Sequence, residues 1–233
     1  MKHTTLELGG KSPQLIFADA DIESAVLGAA QGLFLNQGQV CAAGTRIFVH
    51  RSLLNEVLEG LKEAAESQVI GDPFDSAVTM GPLISAAHKE RVLSYVGKGT
   101  AEGATLVTGG DSIDGDGFFV YPTVFHGTND LTIAREEIFG PVGTVIPFDN
   151  DEEAVALAND NDYGLSATVW TRDISKAHGV SERLHAGSIG VNGWSPLAAQ
   201  LPWGGMKASG IGRELGYDGI LANTETQTIT VLL

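Results

Sequence analysis

Segments that read as strands alternate with segments that read as amphipathic helices along almost the whole of this chain, and that alternation limits its fold to few choices. Residues 4–8 alternate as a strand does, with Leu6 and Leu8 on one face and Glu7 on the other. Asp21 is placed to cap a helix in which Ile22, Ala25, Val26, Ala29, Ala30, Leu33 and Phe34 fall at helical spacing, ending near residues 36–38 with Gly38 as the stop signal. A strand follows at 46–49, then helices over 53–68 and from Ser85 onward, with Val92, Leu93 and Val96 on the latter's apolar face. Strands at 105–107, 118–124 and 143–146 precede a helix over 152–158 capped by Asp149 and Asn150. A strand at 166–170, a helix over 174–184 capped by Asp173 and a strand at 187–191 complete the pattern. Strands joined through helices pair in parallel, because a parallel pair needs a long crossover connection. The expectation is therefore an α/β fold, an open and largely parallel sheet flanked by helices. Residues 224–233 read as a last β-strand arm with nothing after it, of the kind donated to a neighbouring chain or sheet edge.

The chain has 233 residues, 43% hydrophobic and 18% charged, enough to bury a real core, and neither a linker nor an internal repeat divides it. Its 30 glycines suggest many tight turns and close backbone approaches. The net charge of −15, from 14 basic against 29 acidic side chains, would repel a phosphate backbone, so nucleic acid is not an expected partner. No apolar run approaches the roughly 20 residues of a membrane helix, and residues 1–5 carry no apolar signal segment; a cytoplasmic protein with no membrane partner is expected. One cysteine excludes an internal disulfide and a cysteine-rich metal site, and six scattered histidines offer no metal cluster.

That one cysteine, Cys41, carries the strongest chemical signal. A lone thiol is more often inert core than catalyst. Core cysteines, however, sit in periodic apolar runs, whereas Cys41 lies among Gly38, Gln39, Ala42, Ala43 and Gly44, small residues that leave a thiol accessible between a helix and a strand. Glu7 is most simply a solvent-facing strand residue, yet Gly9-Gly10 directly after it lets backbone approach a ligand closely. Gly9-Gly10-Lys11-Ser12 fails as a phosphate loop, because Thr5 stands where its first glycine is required. Gly210-Ile211-Gly212 fails as a dinucleotide fingerprint, with Leu215 in place of the third glycine. Residues 136–141, Glu-Glu-Ile-Phe-Gly-Pro, read alone as an acidic turn into a strand.

Taken together the segments are far more specific. Leu6-Glu7-Leu8-Gly9-Gly10-Lys11-Ser12-Pro13, Gly38-Gln39-Val40-Cys41, Glu136-Glu137-Ile138-Phe139-Gly140-Pro141, Asn161-Asp162-Tyr163-Gly164-Leu165-Ser166-Ala167, and Pro202-Trp203-Gly204-Gly205-Met206-Lys207 with Ser209-Gly210 and Gly212-Arg213-Glu214 follow one another along nearly the whole chain. In these segments the chain resembles the aldehyde dehydrogenase superfamily. The resemblance implies oxidation of a small-molecule aldehyde to a carboxylic acid with NAD or NADP. Cys41 would be the nucleophile, its backbone N–H an oxyanion donor, and Glu7 the base that activates water. Glu137 would hold the nicotinamide ribose, Phe139 would pack near the nicotinamide ring, and Leu8 and Gly9 would line that end of the cofactor site. The family is about twice as long, with a dinucleotide-binding domain ahead of the cysteine. Residues 1–8 would then be the last strand of that domain, 9–212 the catalytic cysteine domain, and 213–233 a C-terminal segment ending in an inter-subunit strand. Weak or absent cofactor binding in this chain alone and a homo-oligomer are the expectations. A cofactor-free thiol esterase, and a non-catalytic module that only assembles with partner chains, are the alternative readings. Trp194, Leu197, Leu201 and Trp203 fall in the segment that lines the family's aldehyde entrance, which suggests an apolar or aromatic aldehyde.

Overall fold

A computed structural model describes residues 2–115, 117–194 and 197–233. In chain order the elements are β1 (Leu6–Glu7), β2 (Pro13–Ile16), α1 (Ile22–Phe34), β3 (Arg46–His50), α2 (Leu54–Glu66), α3 (Ala86–Ala101), β4 (Thr105–Thr108), β5 (Thr123–His126), α4 (Thr132–Arg135), β6 (Val142–Phe148), α5 (Asp151–Asn159), β7 (Tyr163–Gly164), β8 (Ser166–Trp170), α6 (Ile174–Ser181), β9 (Ser188–Val191), β10 (Met206–Lys207), β11 (Gly210–Ile211) and α7 (Gly216–Leu221). Seven strands form one sheet in the order β4-β5-β6-β3-β2-β8-β9, and every neighbouring pair except β4–β5 is parallel. The parallel α/β sheet expected from the alternation is present.

The local signals act as the physics requires. Asp21, Ser85, Asn150 and Asp173 each accept a backbone N–H from the first turn of the following helix, satisfying donors the helix itself leaves open. Alternate residues of the central strands face opposite layers, and both layers are buried, as in parallel sheets generally. Ile16, Ile47, Val49 and Val145 pack with α1 and α2 residues such as Val26, Leu33, Val57 and Leu61. Leu15, Phe48, Ile146 and Val169 pack on the other face with Val92, Tyr95, Val155 and Val180 from α3, α5 and α6.

Four differences from the sequence reading have physical reasons. β2 lies at the centre of the sheet, although Pro-Gln-Leu-Ile shows no alternation; proline is tolerated at a strand's first residue, and the glutamine is fully buried. β5 begins at Thr123 rather than 118, because Val120 bridges back to Ser112 before Pro122 interrupts. The helix before Cys41 stops at Phe34, where the backbone turns left-handed at Asn36 and Gln37. Residues 224–233 form no strand. A strand exists only through its ladder, and none of the described strands pairs with this exposed segment.

Three parallel strands begin level with one another. Pro13 pairs with Arg46 and Arg46 with Thr144, so the segments entering β2, β3 and β6 meet at one sheet edge. Arg46, 1% exposed, locks that edge. Its guanidinium donates to Lys11 O (2.9 Å), Asn129 Oδ1 (3.2 Å), and the carbonyls of Leu157 (3.1 Å) and Ala158 (2.8 Å) near the C-terminus of α5. Burial foremost, with help from nearby Arg135, pushes its pKa down to about 9, which leaves it charged at neutral pH.

Candidate active site

The cysteine turn is built on unusual backbone. Asn36 and Gln37 adopt φ of 51° and 58°, and Gly38 continues in the same region. An asparagine tolerates this conformation, while a residue such as Gln37 bears a cost of about 1–2 kcal/mol. Side chains over-determine the turn: Asn36 Nδ2 donates to Gln39 O (3.0 Å), and Gln39 Oε1 accepts Ile84 N–H (3.0 Å). Cys41 follows, half-buried. Burial is the largest influence and pushes its thiol pKa up. The charges of Glu7 and Glu137 push the same way, and the N–H groups of Ala42 and Cys41 oppose them.

Glu7 rides on a two-stranded antiparallel ribbon. Leu6 pairs with Ile211 and Glu7 with Gly210, and Leu8 N–H donates to Ser209 O (3.0 Å). Gly210 has φ +135°, and a Cβ there would sit 1.9 Å from Leu6 O, so no other residue permits the approach. Ser209, fully buried, accepts Gly164 N–H on its Oγ (3.0 Å) and ties the ribbon to β7. Glu7 is half-buried, and its Oε2 is enclosed without a hydrogen-bond partner among the described residues.

Glu137 meets the other two through Gly9-Gly10. Gly10 N–H donates to Glu137 Oε1 (2.9 Å), and a Cβ on Gly9 would lie 2.3 Å from Glu137 Oε2. A Cβ on Gly10 would lie 2.3 Å from Cys41 O. The glycine pair is thus the hinge point at which Glu7, Cys41 and Glu137 converge. One face of α3 holds the 136–139 segment from behind. His88 Nε2 donates to Phe139 O (2.7 Å), Arg91 Nη2 donates to Glu137 O (2.9 Å), and Tyr95 OH donates to Glu136 Oε2 (2.7 Å). Phe139, at φ +61°, presents a ring that is 38% exposed, and Leu8 is exposed beside the ribbon.

All six expected site residues therefore lie in loops or ribbon at one edge of the sheet. His88, Arg91 and Tyr95 were missed, although their i, i+3, i+7 spacing marks a helix face. Lys11 directly follows the Gly9-Gly10 pair. It is 2% exposed, and its Nζ has no partner among the described residues. Burial, with help from Arg46 and against Glu137 and Glu136, pushes its pKa down to about 7. A concavity of about 850 Å³, lined by Thr5, Ala199, Arg213, Ile220 and Thr224 among others, does not include Cys41. An open groove of about 610 Å³ does reach the site, running from Gln39 and Ile84 to Phe139. Among the described residues no group of three or more His, Cys, Asp or Glu is placed to hold a metal ion, and no helix is long and apolar enough to cross a membrane.

Comparison with known proteins gives the chain's family and fold relatives. The model of the aldehyde dehydrogenase family matches residues 1–229. A betaine aldehyde dehydrogenase of Rhizobium meliloti is 49% identical over 99% of this chain and 48% of its own length. One from Brucella melitensis is 49% identical with the same coverage. Among solved structures, the NAD+ complex of an aldehyde dehydrogenase from Bacillus cereus superimposes with a TM-score of 0.94 at 48% identity, over 96% of this chain and 46% of that one. A betaine aldehyde dehydrogenase from Staphylococcus aureus in complex with NAD+ gives 0.90 at 44% identity, over 93% and 44%. The chain spans about half the length of the curated relatives it matches. In sequence and in fold alike, this chain belongs to the aldehyde dehydrogenase family.

Proposed function

We propose that this chain carries the acyl-transfer centre of an NAD(P)-dependent aldehyde oxidation, with Cys41 as nucleophile and Glu7 as the base for deacylation. The observation that carries the reading is the convergence at Gly9-Gly10, where one peptide N–H holds Glu137 and the adjoining backbone packs on the Cys41 carbonyl. The Cys41 thiolate adds to the aldehyde carbon, giving a tetrahedral thiohemiacetal whose oxyanion is held by the backbone N–H of Cys41. Nicotinamide held by Glu137, with Phe139, Leu8 and Gly9 around it, would supply the hydride acceptor, and loss of hydride from that carbon leaves a thioester on Cys41. Glu7, enclosed and with an unpartnered oxygen, takes a proton from the water that attacks the thioester; Cys41 leaves as thiolate and the product is the carboxylic acid.

The residues present suit a nicotinamide ribose. Glu137 is fixed through Oε1 and through its own carbonyl by Arg91, which leaves carboxylate capacity to accept ribose hydroxyls, with Phe139, Leu8 and Gly9 around it. The relatives named for betaine aldehyde suggest a substrate for this chain as well. Trp194, whose Nε1 reaches Ala42 O beside the nucleophile, offers a ring face to a quaternary ammonium or an apolar tail. The exposed apolar residues Ile229, Val231 and Leu232 support a homo-oligomer in which residues 224–233 pair with a second copy; light scattering of the chain and of a version lacking those residues tests it.

The decisive experiment is an activated ester and, separately, betaine aldehyde with NAD. Acyl-enzyme on Cys41, seen by intact mass and absent in Cys41→Ser, is expected, and Glu7→Gln should make it accumulate. Ester turnover that survives Cys41→Ser refutes the nucleophile, and unchanged deacylation in Glu7→Gln refutes the base.

A further inference from the structure

Two side chains that take no part in bond making tie the nucleophile turn to the body of the protein. Gln14, the second residue of β2, is fully buried. Its Nε2 donates to Gly44 O (3.0 Å), three residues beyond Cys41, and to Ala29 O (3.1 Å) in α1. The indole Nε1 of Trp194 donates to Ala42 O (3.2 Å), one residue beyond Cys41. The amide lies directly on the turn backbone: a Cβ on Gly44 would be 2.3 Å from Gln14 Nε2 and 2.6 Å from its Cδ. Gly44 N–H in turn donates to Gly32 O of α1 (3.0 Å). Helix, central strand and turn are thus stitched through one amide.

We propose that Gln14 is a positioning residue for Cys41, with Trp194 holding the same turn at Ala42. The inference rests on the reading of Cys41 as nucleophile. The carbonyls that Gln14 and Trp194 hold belong to the 44–45 and 42–43 peptides, so the two bonds fix the backbone on the C-terminal side of Cys41. A peptide plane that rotates exchanges an N–H for a carbonyl oxygen at the same place, reversing the sign of the dipole there. With the following peptide held at Ala42 O and the turn held again at Gly44 O, the neighbours of the 41–42 peptide are fixed, and the N–H groups of Ala42 and Cys41 act on the thiol from that backbone. Those donors favour both the thiolate and the oxyanion that develops after attack. Gln14 carries no charge and touches no reacting atom; it acts only through the backbone of the turn.

The test is the pH dependence of Cys41 alkylation by iodoacetamide in the folded chain. Glu7 on β1 and Glu137 before β6 are the charged groups acting on the thiol, and both stay in place in every variant. Gln14→Met keeps the length of the side chain and removes both hydrogen bonds. It should move the rate profile about one pH unit upward and slow alkylation near neutrality about tenfold. Trp194→Phe keeps a ring and removes only the Ala42 bond; it should shift the profile the same way by less, and it decides the matter if Gln14→Met does not fold. Val124→Ala, a buried truncation on β5, serves as the control for general loosening and should leave the profile where it was. A parent profile in both Gln14→Met and Trp194→Phe overturns the proposal, as does an equal shift in Val124→Ala. If Cys41 of the folded parent does not alkylate at all, the nucleophile reading itself falls and takes this inference with it.

Discussion

Gly210→Ala should open the Glu7 ribbon while leaving the sheet almost untouched, and the sizes of both effects follow from the geometry. An alanine at φ +135° bears a conformational cost of about 1–3 kcal/mol. Its Cβ would arrive 1.9 Å from Leu6 O, a main-chain atom, so the ribbon must separate rather than adjust a side chain. Separation loses the Leu8-to-Ser209 bond and the Glu7–Gly210 ladder, about 1 kcal/mol for each bond. The local loss is then about 3–5 kcal/mol, roughly two to four orders of magnitude in the opening constant. Global stability does not feel that sum, because β1 is an exposed edge with Leu6 and Leu8 both in solvent, and a segment that opens locally limits the damage. Native-state hydrogen exchange reads the difference directly. The Leu8 amide should exchange about 10²–10⁴-fold faster, while the amides of Ile47 and Val49 keep their protection and the melting temperature stays close to the parent. Deacylation of Cys41 should fall at the same time, because Glu7 loses its support. Unchanged Leu8 exchange, or core amides that accelerate with it, refutes the account of the ribbon as a separate cooperative unit.

Three further predictions rest on buried charge. Glu7→Gln removes a negative charge that raises the Cys41 thiol pKa, so the alkylation profile of Cys41 should move to lower pH; an upward shift contradicts the placement of Glu7 beside the sulfur. Lys11, held down to about 7 in the folded state, stays protonated to about 10.5 when unfolded, so between those values the unfolded chain binds the extra proton and stability rises with pH. Lys11→Met abolishes that slope. Its advantage over the parent in urea should shrink by at most about 1.4 kcal/mol per pH unit from pH 7 to 10, and a pH-independent difference would disprove the buried ammonium. Arg46→Met strips donors from three backbone carbonyls and Asn129 Oδ1. Even after relief from burying a guanidinium, about 3–5 kcal/mol of stability should be lost, and an unshifted denaturation midpoint refutes the anchor.

How much of this was legible in the sequence depended on the range of the interaction. Caps and apolar periodicity are local, so Asp21, Asn150 and Asp173 and the helices they start stand where the sequence placed them. β2 escaped because its signal is not periodic: a strand buried on both faces by neighbours can carry a proline and a glutamine, and only the pairing with β3 and β8 makes it a strand. The short strands β7, β10 and β11 escaped for the same reason. They exist through partners more than 40 residues away, as Tyr163 with Lys207 shows. At the candidate site, Cys41, Glu7 and Glu137 stand out in the sequence through their motifs. The residues that hold them are ordinary in sequence. His88, Arg91 and Tyr95 sit on an unremarkable helix, and their role is visible only once the 136–139 segment is laid against that face.

The strand order explains why these particular loops meet. β6, β3 and β2 are consecutive in the sheet, and the segments that carry Glu137, Cys41 and Glu7 are those that enter their starting ends. The register keeps the three starts level, so the loops inherit the spacing of adjacent strands, about 4.8 Å from one to the next. The Cys41 segment thereby enters between the segments that carry the two carboxylates, although the sequence separates it from Glu7 by 34 residues and from Glu137 by 96. Open α/β sheets generally bind ligands outside the carboxyl ends of their strands; this site uses the opposite edge. Loops at the starting edge run directly into the most deeply buried strands, and Arg46 clamps them where β3 begins. A side chain set there has little freedom to wander. The outer two positions, by contrast, hang on contacts that single substitutions can release: the glycine ribbon for Glu7 and the α3 face for Glu137. Releasing either should therefore change what happens around the sulfur, deacylation on one side and cofactor affinity on the other, without displacing Cys41 itself.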